Sequence, residues 1–286
     1  MARKGGSRQP TCKTKAELQA MREAGGILAG ALDALEALLK PGVTTAELDR
    51  FVEEYIRAHG ATPSFKGLYG YPATICCAPN DVVVHGIPDT KTALREGDII
   101  GIDVGAEVRG LHADLTRTFP IGEVSERATR LMDKTREALE VGIARAVEGA
   151  KVLDISRAIQ EVVEGAGYSV IRDLTGHAIG HRFHEPPSIP NFVALSQFPD
   201  DYAVRLRRGM TLAIEPMVAE GAFRIVRDAD RWTYRTADGK LSAHFEHTVE
   251  ITRAAPRILT SPAGPGHDRE PQPEGSGAAG NGGYGS

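Results

Sequence analysis

The sequence predicts an α+β fold in which an antiparallel β-sheet forms the core and helices lie on the outside. Three observations support this prediction: two pairs of amphipathic helices, strands with alternating apolar residues, and a similarity between the two helix pairs. The chain has 286 residues, of which 41% are hydrophobic and 25% are charged. This composition is usual for a globular protein, and the length is sufficient for one large domain.

The helices are predicted from apolar spacing and from their first residues. Residues 18–39 have helical periodicity, and Thr44 with Glu47 forms a capping-box pattern that opens a second helix. A second pair of helices is predicted at about residues 127–150 and residues 152–166.

The two helix pairs resemble each other when the sequence is shifted by 107 residues, which places residues 41–60 over residues 148–167. The identical pairs are Gly42 and Gly149, Arg50 and Arg157, Glu54 and Glu161, and Gly60 and Gly167. If the repeat is genuine, two αα-plus-strand halves face each other across a pseudo-twofold axis, with a cleft between them. The alternative is two ordinary amphipathic helices that end at glycine.

Composition sets the ends of the domain. Residues 1–10 are basic and polar and are predicted to form a loose tail. Residues 261–286 hold eight glycines and four prolines, which predicts a disordered tail. Residues 11–260 are then expected to form a single domain.

Charge and cysteine usage exclude several classes of protein. The net charge of -4 provides no basic surface for nucleic acid. No apolar run is long enough to span a membrane. The three cysteines form no Cys-x-x-Cys pattern and no disulfide framework, so the cytoplasm is the expected compartment.

Residues 97–119 predict a β-hairpin, because apolar residues alternate with polar ones on both sides of a turn. The strand period of two places Asp103 and Asp114 on one face. A turn centred between residues 108 and 109 would place these two residues opposite each other. Opposed carboxylates repel unless a cation lies between them.

Two later segments repeat this arrangement. "MTLAIEPMV" places Glu215, and "SAHFEHTVEI" places Glu246, at the centre of an apolar strand. "GHAIGHRFHEPP" adds His177, in a stretch whose glycines and prolines disfavour a helix and whose spacing does not match a zinc protease. For any one of these acids, the alternative interpretation is a solvated strand face.

Together these residues indicate a metal centre. Four carboxylates in one cleft carry about four negative charges, which two divalent cations would balance. Carboxylates with one imidazole suit Mn, Co, Fe or Zn, and two such ions can hold a hydroxide for hydrolysis.

Five motifs carry a resemblance to a known family: "PNDVVVHGIP", "IGIDVGAEVRGLHADLTRTF", "GHAIGHRFHEPP", "TLAIEPMV" and "WTYRTADGKLSAHFEHTVEI". Over about residues 13–259 the chain resembles the type I methionine aminopeptidases. The resemblance implies the pita-bread fold, which this family shares with prolidase, aminopeptidase P and creatinase. It also implies a metal-dependent aminopeptidase that removes the initiator methionine.

The resemblance implies a role for each site residue. Asp103 would bind one metal ion, His177 and Glu215 the other, and Asp114 and Glu246 would bridge the two. Glu215 would also move a proton, and His85 and His184 would be catalytic residues that contact the substrate near the scissile bond. The methionine side chain would lie in an apolar pocket formed by Phe65, Tyr71, Cys76, Phe183 and Trp232; the alternative for these residues is core packing.

The implied partners are nascent polypeptides that begin with methionine and a small second residue, with the ribosome as a further partner. The protein would act as a monomer. The chain departs from the family pattern at Ala178 and His181, where glycine and arginine are more common, and at Pro79. We expect His181 either to be structural or to support the residues that bind the metal and the substrate.

Two other functions compete with this one. A proline-directed peptidase of the same fold usually carries an additional N-terminal domain, whereas only about a hundred residues precede Asp103 here. A catalytically inactive pita-bread binding protein would have lost metal ligands, and this chain retains all of the expected ones.

Overall fold

A computed structural model of the protein describes residues 10–261. The tails predicted from composition therefore lie almost entirely outside the described residues. The helices are α1 (Lys15–Glu36), α2 (Thr45–Ala58), α3 (Glu126–Ala144), α4 (Val152–Gly165) and the short α5 (Pro199–Ala203), with one 3-10 turn at Leu68–Gly70. The strands are β1 (Thr62–Pro63), β2 (Ile75–Pro79), β3 (Val82–Val84), β4 (Ile99–Val108), β5 (Leu111–Pro120), β6 (Ser169–Val170), β7 (Thr175–Ala178), β8 (Glu185–Pro190), β9 (Thr211–Ile214), β10 (Met217–Ala219), β11 (Ile225–Arg227), β12 (Tyr234–Thr236), β13 (Ser242–His244), β14 (Glu246–Glu250) and β15 (Arg257–Ile258).

One large sheet crosses the described part of the chain in the order β1-β4-β5-β14-β9-β7-β8. Strand β2 also pairs with β4, and β15 also pairs with β14. Two smaller sheets have the orders β13-β10-β6 and β11-β12-β3. The strand pairs are antiparallel, as β4 with β5 and β7 with β9 illustrate, so the α+β prediction is confirmed.

The helices cover the large sheet in two groups, and each group has its own apolar core. Buried leucines of α1 and α2 pack with isoleucines of β2 and β4, for example Leu28 and Leu48 with Ile75 and Ile102. Buried apolar residues of α3 and α4 pack with residues of β9 and β14 in a second apolar core. Within residues 10–261, no helix combines the length and the apolar character needed to cross a membrane.

The glycines of the repeat adopt matching conformations in the two halves. Gly42 and Gly149, which precede α2 and α4, have φ values of 96° and 89°. Gly60 and Gly167, which follow the same helices, have φ values of 78° and 83°. Only glycine adopts this left-handed region readily, so the matching glycines reflect matching backbone turns. This agreement favours the repeat over two unrelated helices.

The helix boundaries agree with the sequence prediction to within about two residues except in α1 and at the end of α3; α1 begins and ends three residues earlier than the predicted residues 18–39. The capping box at the start of α2 is present, with the Thr44 amide donating to Glu47 Oε2 at 2.8 Å. The helix predicted over residues 127–150 ends at Ala144, and residues 145–150 form the turn to α4. The prediction was therefore six residues too long, because apolar spacing continues through that turn.

The hairpin register differs from the prediction by two residues. The turn consists of Arg109 and Gly110, whose φ values are 52° and 78°, as in the type I′ turns that favour glycine. Val108 therefore pairs with Leu111, and Asp103 pairs with Thr116 rather than with Asp114. The expectation that the two aspartates are directly opposed was wrong. They remain on one face of the sheet, as diagonal neighbours.

Glu246 is the first residue of β14, and Glu215 lies between two strands, so neither is at a strand centre. Glu215 and Pro216 separate β9, in the large sheet, from β10, in a small sheet, and Phe245 separates β13 from β14. The prediction of two uninterrupted strands was wrong here. Both chain segments change sheet at this point, which turns the two carboxylates towards the space between the sheets.

Candidate active site

A cavity of about 310 Å³ opens between the two halves of the described structure. Its walls include every site residue expected from the sequence: Phe65, Tyr71, Cys76, His85, Asp103, Asp114, His177, Phe183, His184, Glu215, Trp232 and Glu246. Residues from both halves therefore meet in one place, as a cleft on a pseudo-twofold axis predicts.

The polar end of the cavity is formed by the acids and His177. One ligand atom each from Asp114, His177 and Glu246 lies within 4.8 Å of the others, and all three residues are buried. His177 Nε2 is 3.7 Å from Asp114 Oδ2 and 3.6 Å from Glu215 Oε1. These separations suit atoms that share a cation between them.

The carboxylates are held away from bulk water, which disfavours their charged form. Burial raises the pKa of Asp103 to about 7. Burial, together with the charges of Asp103 and Glu215, raises the pKa of Asp114 well above its usual value. Burial and neighbouring acids also raise the pKa values of Glu215 and Glu246. Without compensation, this cluster would carry protons at neutral pH.

The donor atoms fit divalent cations. Asp103 Oδ1, Asp114 Oδ1 and Glu246 Oε1 are buried, and no other group in residues 10–261 offers them a hydrogen bond. Buried oxygens of this kind are rare unless an ion or water satisfies them. A set of carboxylate oxygens with one imidazole nitrogen is the donor set that Mn, Fe, Co and Zn accept.

Hydrogen bonding sets the tautomer of His177. Its Nδ1 lies 3.0 Å from the carbonyl oxygen of Ala178, which can only accept, so Nδ1 carries the proton. Nε2, which faces Asp114 and Glu215, therefore presents a lone pair. Burial lowers the pKa of His177 to about 3, so the ring is neutral and able to bind a metal at physiological pH.

The other two predicted histidines flank the same end. His85 has a φ of 59°, and burial lowers its pKa to about 4. The ring of His184 lies 4.4 Å from that of His177. It also stacks on the exposed ring of Tyr69 at 5.8 Å. Both histidines therefore face the space beside the acids.

Aromatic rings form the apolar end of the cavity. Phe65 meets Phe183 edge to face at 5.2 Å, and Tyr71 meets Trp232 in the same way at 5.1 Å. Gly105 permits the first pair to lie close to β4, since a Cβ there would be 2.7 Å from the Phe65 ring. These residues are buried or half-buried and also face the cavity, so core packing and pocket lining are compatible.

Sequence reasoning missed several residues of the cavity. His244 Nε2 is 3.7 Å from Glu215 Oε2, and the ring is buried. Its position two residues before Glu246 was a usable signal, because the sequence predicts one strand there and residues two apart on a strand share a face. Tyr69 and Met217 also line the cavity, and no spacing in the sequence marks them.

The three departures from the family pattern lie beside the cavity rather than in it. His181 is exposed, and its Nε2 is 2.6 Å from Glu17 Oε1 in α1, which agrees with a structural role. Ala178 is buried at the end of β7, and Pro79 ends β2 opposite Ile100. None of them replaces a residue of the acid cluster.

Comparison with known proteins identifies the family. Residues 19–253 match metallopeptidase family M24. A methionine aminopeptidase of Clostridium perfringens is 48% identical over 248 residues, covering 87% of this chain and 97% of that protein. Methionine aminopeptidase 1 of Bacillus subtilis is 45% identical over 249 residues, covering 87% and 98%. The chain therefore belongs to metallopeptidase family M24, and the relatives that it matches over nearly their whole length are methionine aminopeptidases.

Solved structures confirm the fold. The crystal structure of methionine aminopeptidase from Thermotoga maritima matches with a TM-score of 0.85 at 42% identity, covering 88% of this chain and 100% of that one. Prolidase from Pyrococcus furiosus matches with a TM-score of 0.71 at 23% identity, and 66% of that chain is covered. The pita-bread fold and the family resemblance expected from the motifs are both confirmed.

Proposed function

We propose that the protein is a metal-dependent aminopeptidase that removes the initiator methionine from polypeptides. The observation that carries this proposal is the meeting of a buried carboxylate–imidazole cluster with an aromatic pocket in one cavity. The cluster provides the chemistry of hydrolysis, and the pocket provides a site for one apolar side chain. The names of the relatives support the choice of methionine.

We assign two divalent ions to the cluster, of Mn, Fe, Co or Zn. Asp103 would hold one ion, His177 and Glu215 the other, and Asp114 with Glu246 would contact both. The charge of four carboxylates supports two ions rather than one. Bound divalent ions supply Lewis-acid catalysis and lower the pKa of water, which provides the nucleophile for peptide hydrolysis.

The residues of the chain orient the substrate and move its protons. The methionine side chain would occupy the space between the Phe65–Phe183 pair and the Tyr71–Trp232 pair, above Cys76. Glu215 would accept a proton from the attacking water at its carboxylate and return it to the new amino group.

The two histidines beside the acids would polarise the scissile amide. Burial lowers the pKa of His85 to about 4, and partial desolvation beside His112 lowers the pKa of His184, so both rings are neutral near pH 7. A neutral imidazole can donate one N–H to a carbonyl oxygen and strengthen that bond as negative charge develops. We assign both histidines this role.

The partners follow from the chemistry of the substrate. The site accepts the free end of a polypeptide, so nascent chains with a small second residue are the proposed substrates. Such chains emerge in the cytoplasm, where we place the protein, and the ribosome is a further proposed partner. We propose a monomer as the active form.

One experiment tests the function against its closest alternatives. Turnover of Met-Ala-Ser is compared with turnover of Ala-Pro-Ala, and metal content is measured on the same preparation. We expect metal-dependent release of methionine from the first peptide and little reaction with the second. Preference for Ala-Pro-Ala would indicate a proline-directed peptidase. No hydrolysis of either peptide, with or without bound metal, would indicate a binding protein.

A further inference from the structure

The residues before α1 contact the segment of residues 180–185 through a buried ion pair. Lys13 Nζ lies 2.8 Å from Glu185 Oε2. Their side chains are only 1% and 5% exposed. Glu185 comes directly after Phe183 and His184, which both line the cavity. A residue at the start of the domain therefore contacts the segment that carries two substrate-site side chains.

Further hydrogen bonds complete this contact. Thr11 Oγ1 donates to Glu185 Oε2 at 2.9 Å and accepts from Lys13 Nζ at 2.6 Å. The other carboxylate oxygen, Glu185 Oε1, accepts the backbone amide of Arg182 at 3.1 Å. The Lys13 amide itself donates to the carbonyl oxygen of Gly209 at 2.6 Å. Glu185 thus links the N-terminal residues to the backbone of the segment on its other side.

The segment is shaped to receive the lysine. A Cβ at Gly180 would lie 2.0 Å from Lys13 Cε and 2.4 Å from Nζ, so the side chain fills the space that this glycine leaves. Breaking a buried pair leaves an uncompensated charge, whereas apolar replacement of both partners is often tolerated.

On the basis of the proposed function, we propose that Lys13 is a positioning residue for catalysis. Its ion pair with Glu185 holds residues 180–185 in place, and this sets Phe183 and His184 against the cavity. His177 is held separately, because β7 pairs with both β8 and β9 on either side of it. Substitution of Lys13 should therefore lower kcat and leave metal content unchanged.

The test uses Lys13→Met in the full chain, with Lys134→Met as the matched control. Lys134 forms an exposed pair with Glu137 on α3, and neither residue lines the cavity. We expect Lys13→Met to retain its metal and to lose about 10²-fold in kcat for Met-Ala-Ser, as small misplacements of catalytic groups do. The control should match the wild type.

A double-mutant cycle separates positioning from stability. If Lys13 acts through His184, then Lys13→Met should cost little further kcat in a His184→Ala background. Hydrogen exchange should also rise in residues 180–185 of Lys13→Met, where the Arg182 amide loses its fixed acceptor, and stay unchanged in α4. Equal losses of kcat in both backgrounds, or exchange that rises everywhere, would overturn the proposal.

A second variant keeps the test decisive if Lys13→Met does not fold. Lys13→Met with Glu185→Met removes both charges and should fold, yet it still lacks the acceptor for the Arg182 amide. We expect it to show low kcat and fast exchange in residues 180–185, and normal kcat would contradict the inference. If the wild type itself fails to turn over Met-Ala-Ser, the proposed function is wrong, while hydrogen exchange still decides whether Lys13 orders the segment.

Discussion

Asp114 and His177 come from opposite halves of the protein, and their side chains meet with Asp114 Oδ2 3.7 Å from His177 Nε2. Asp114 lies on β5, which packs under α1, and His177 lies on β7, beside β9. The contact therefore depends on the two halves facing each other. Neither half could form the acid cluster alone, so the metal site that we propose would also join the two halves.

The first prediction concerns Asp114, which we assign to both metal ions. Asp114→Asn should lower metal content and peptide turnover together, because a neutral amide is a weaker ligand for a hard cation. The measurement is metal content by mass spectrometry beside kcat. A variant with two metal ions and normal turnover would contradict the ligand assignment.

The second prediction links pH to metal-free stability. The pKa of Asp103 rises from 3.8 to about 7 on folding. A raised pKa contributes stability that is complete below the unfolded value and is lost as pH rises through the folded value. Metal-free Asp103→Asn should therefore gain stability relative to the metal-free wild type between pH 4 and pH 7. Comparing variant with wild type cancels the opposite contribution of the buried histidines.

Thermal unfolding in chelator, over this pH range, measures the difference. Asp133→Asn is the control, because Asp133 forms an exposed pair with Arg136 on α3. With metal bound the order should reverse, since Asp103→Asn then lacks a ligand. A constant difference across the pH range would show that neither Asp103 nor the acids whose pKa values its charge raises titrate in this range.

The third prediction compares two adjacent glycines of α1. A Cβ at Gly25 would lie 2.2 Å from the carbonyl oxygen of Leu259, whereas a Cβ at Gly26 meets nothing within 4 Å. The Leu259 backbone is held by its own hydrogen bond to Thr248, so it cannot easily move away. Gly25→Ala should destabilise by about 1–3 kcal/mol. Gly26→Ala should stabilise by about 0.5–1 kcal/mol, as alanine does in helix interiors.

Denaturant unfolding of the two metal-loaded variants checks this pair. Each variant is the control for the other, because both add one methyl group to the same helix. Equal effects of the two substitutions would mean that α1 does not pack closely on the backbone of Leu259.

The sequence identified the chemistry of the site more completely than its geometry. Residue types and strand parity were sufficient to place Asp103 and Asp114 on one face. The register of the β4–β5 hairpin was predicted wrongly because Arg109 adopts a positive φ, which is unusual for arginine and cannot be inferred from the residue type. The sheet changes at Glu215 and Phe245 were missed because apolar alternation continues across both points. These features arise from tertiary packing, to which local periodicity is insensitive.

The contacts of Lys13 show the same limit. Nothing near Lys13 in the sequence indicates that its ammonium group is buried against Glu185, since lysine is usually exposed. Such a pair can be seen only when the fold brings the two segments together.

The last prediction distinguishes the three histidines of the segment from residue 177 to residue 184. His177→Ala should lose metal, because Nε2 of its neutral ring faces Asp114 and Glu215. His184→Ala should keep its metal and lower kcat by about 10²–10³-fold, if it removes one donor to the developing charge. His181→Ala should be milder than either, since His181 is exposed and contacts Glu17. Metal content and kcat for a Met-Ala peptide are measured together. Metal loss in His184→Ala with retention in His177→Ala would reverse the two roles.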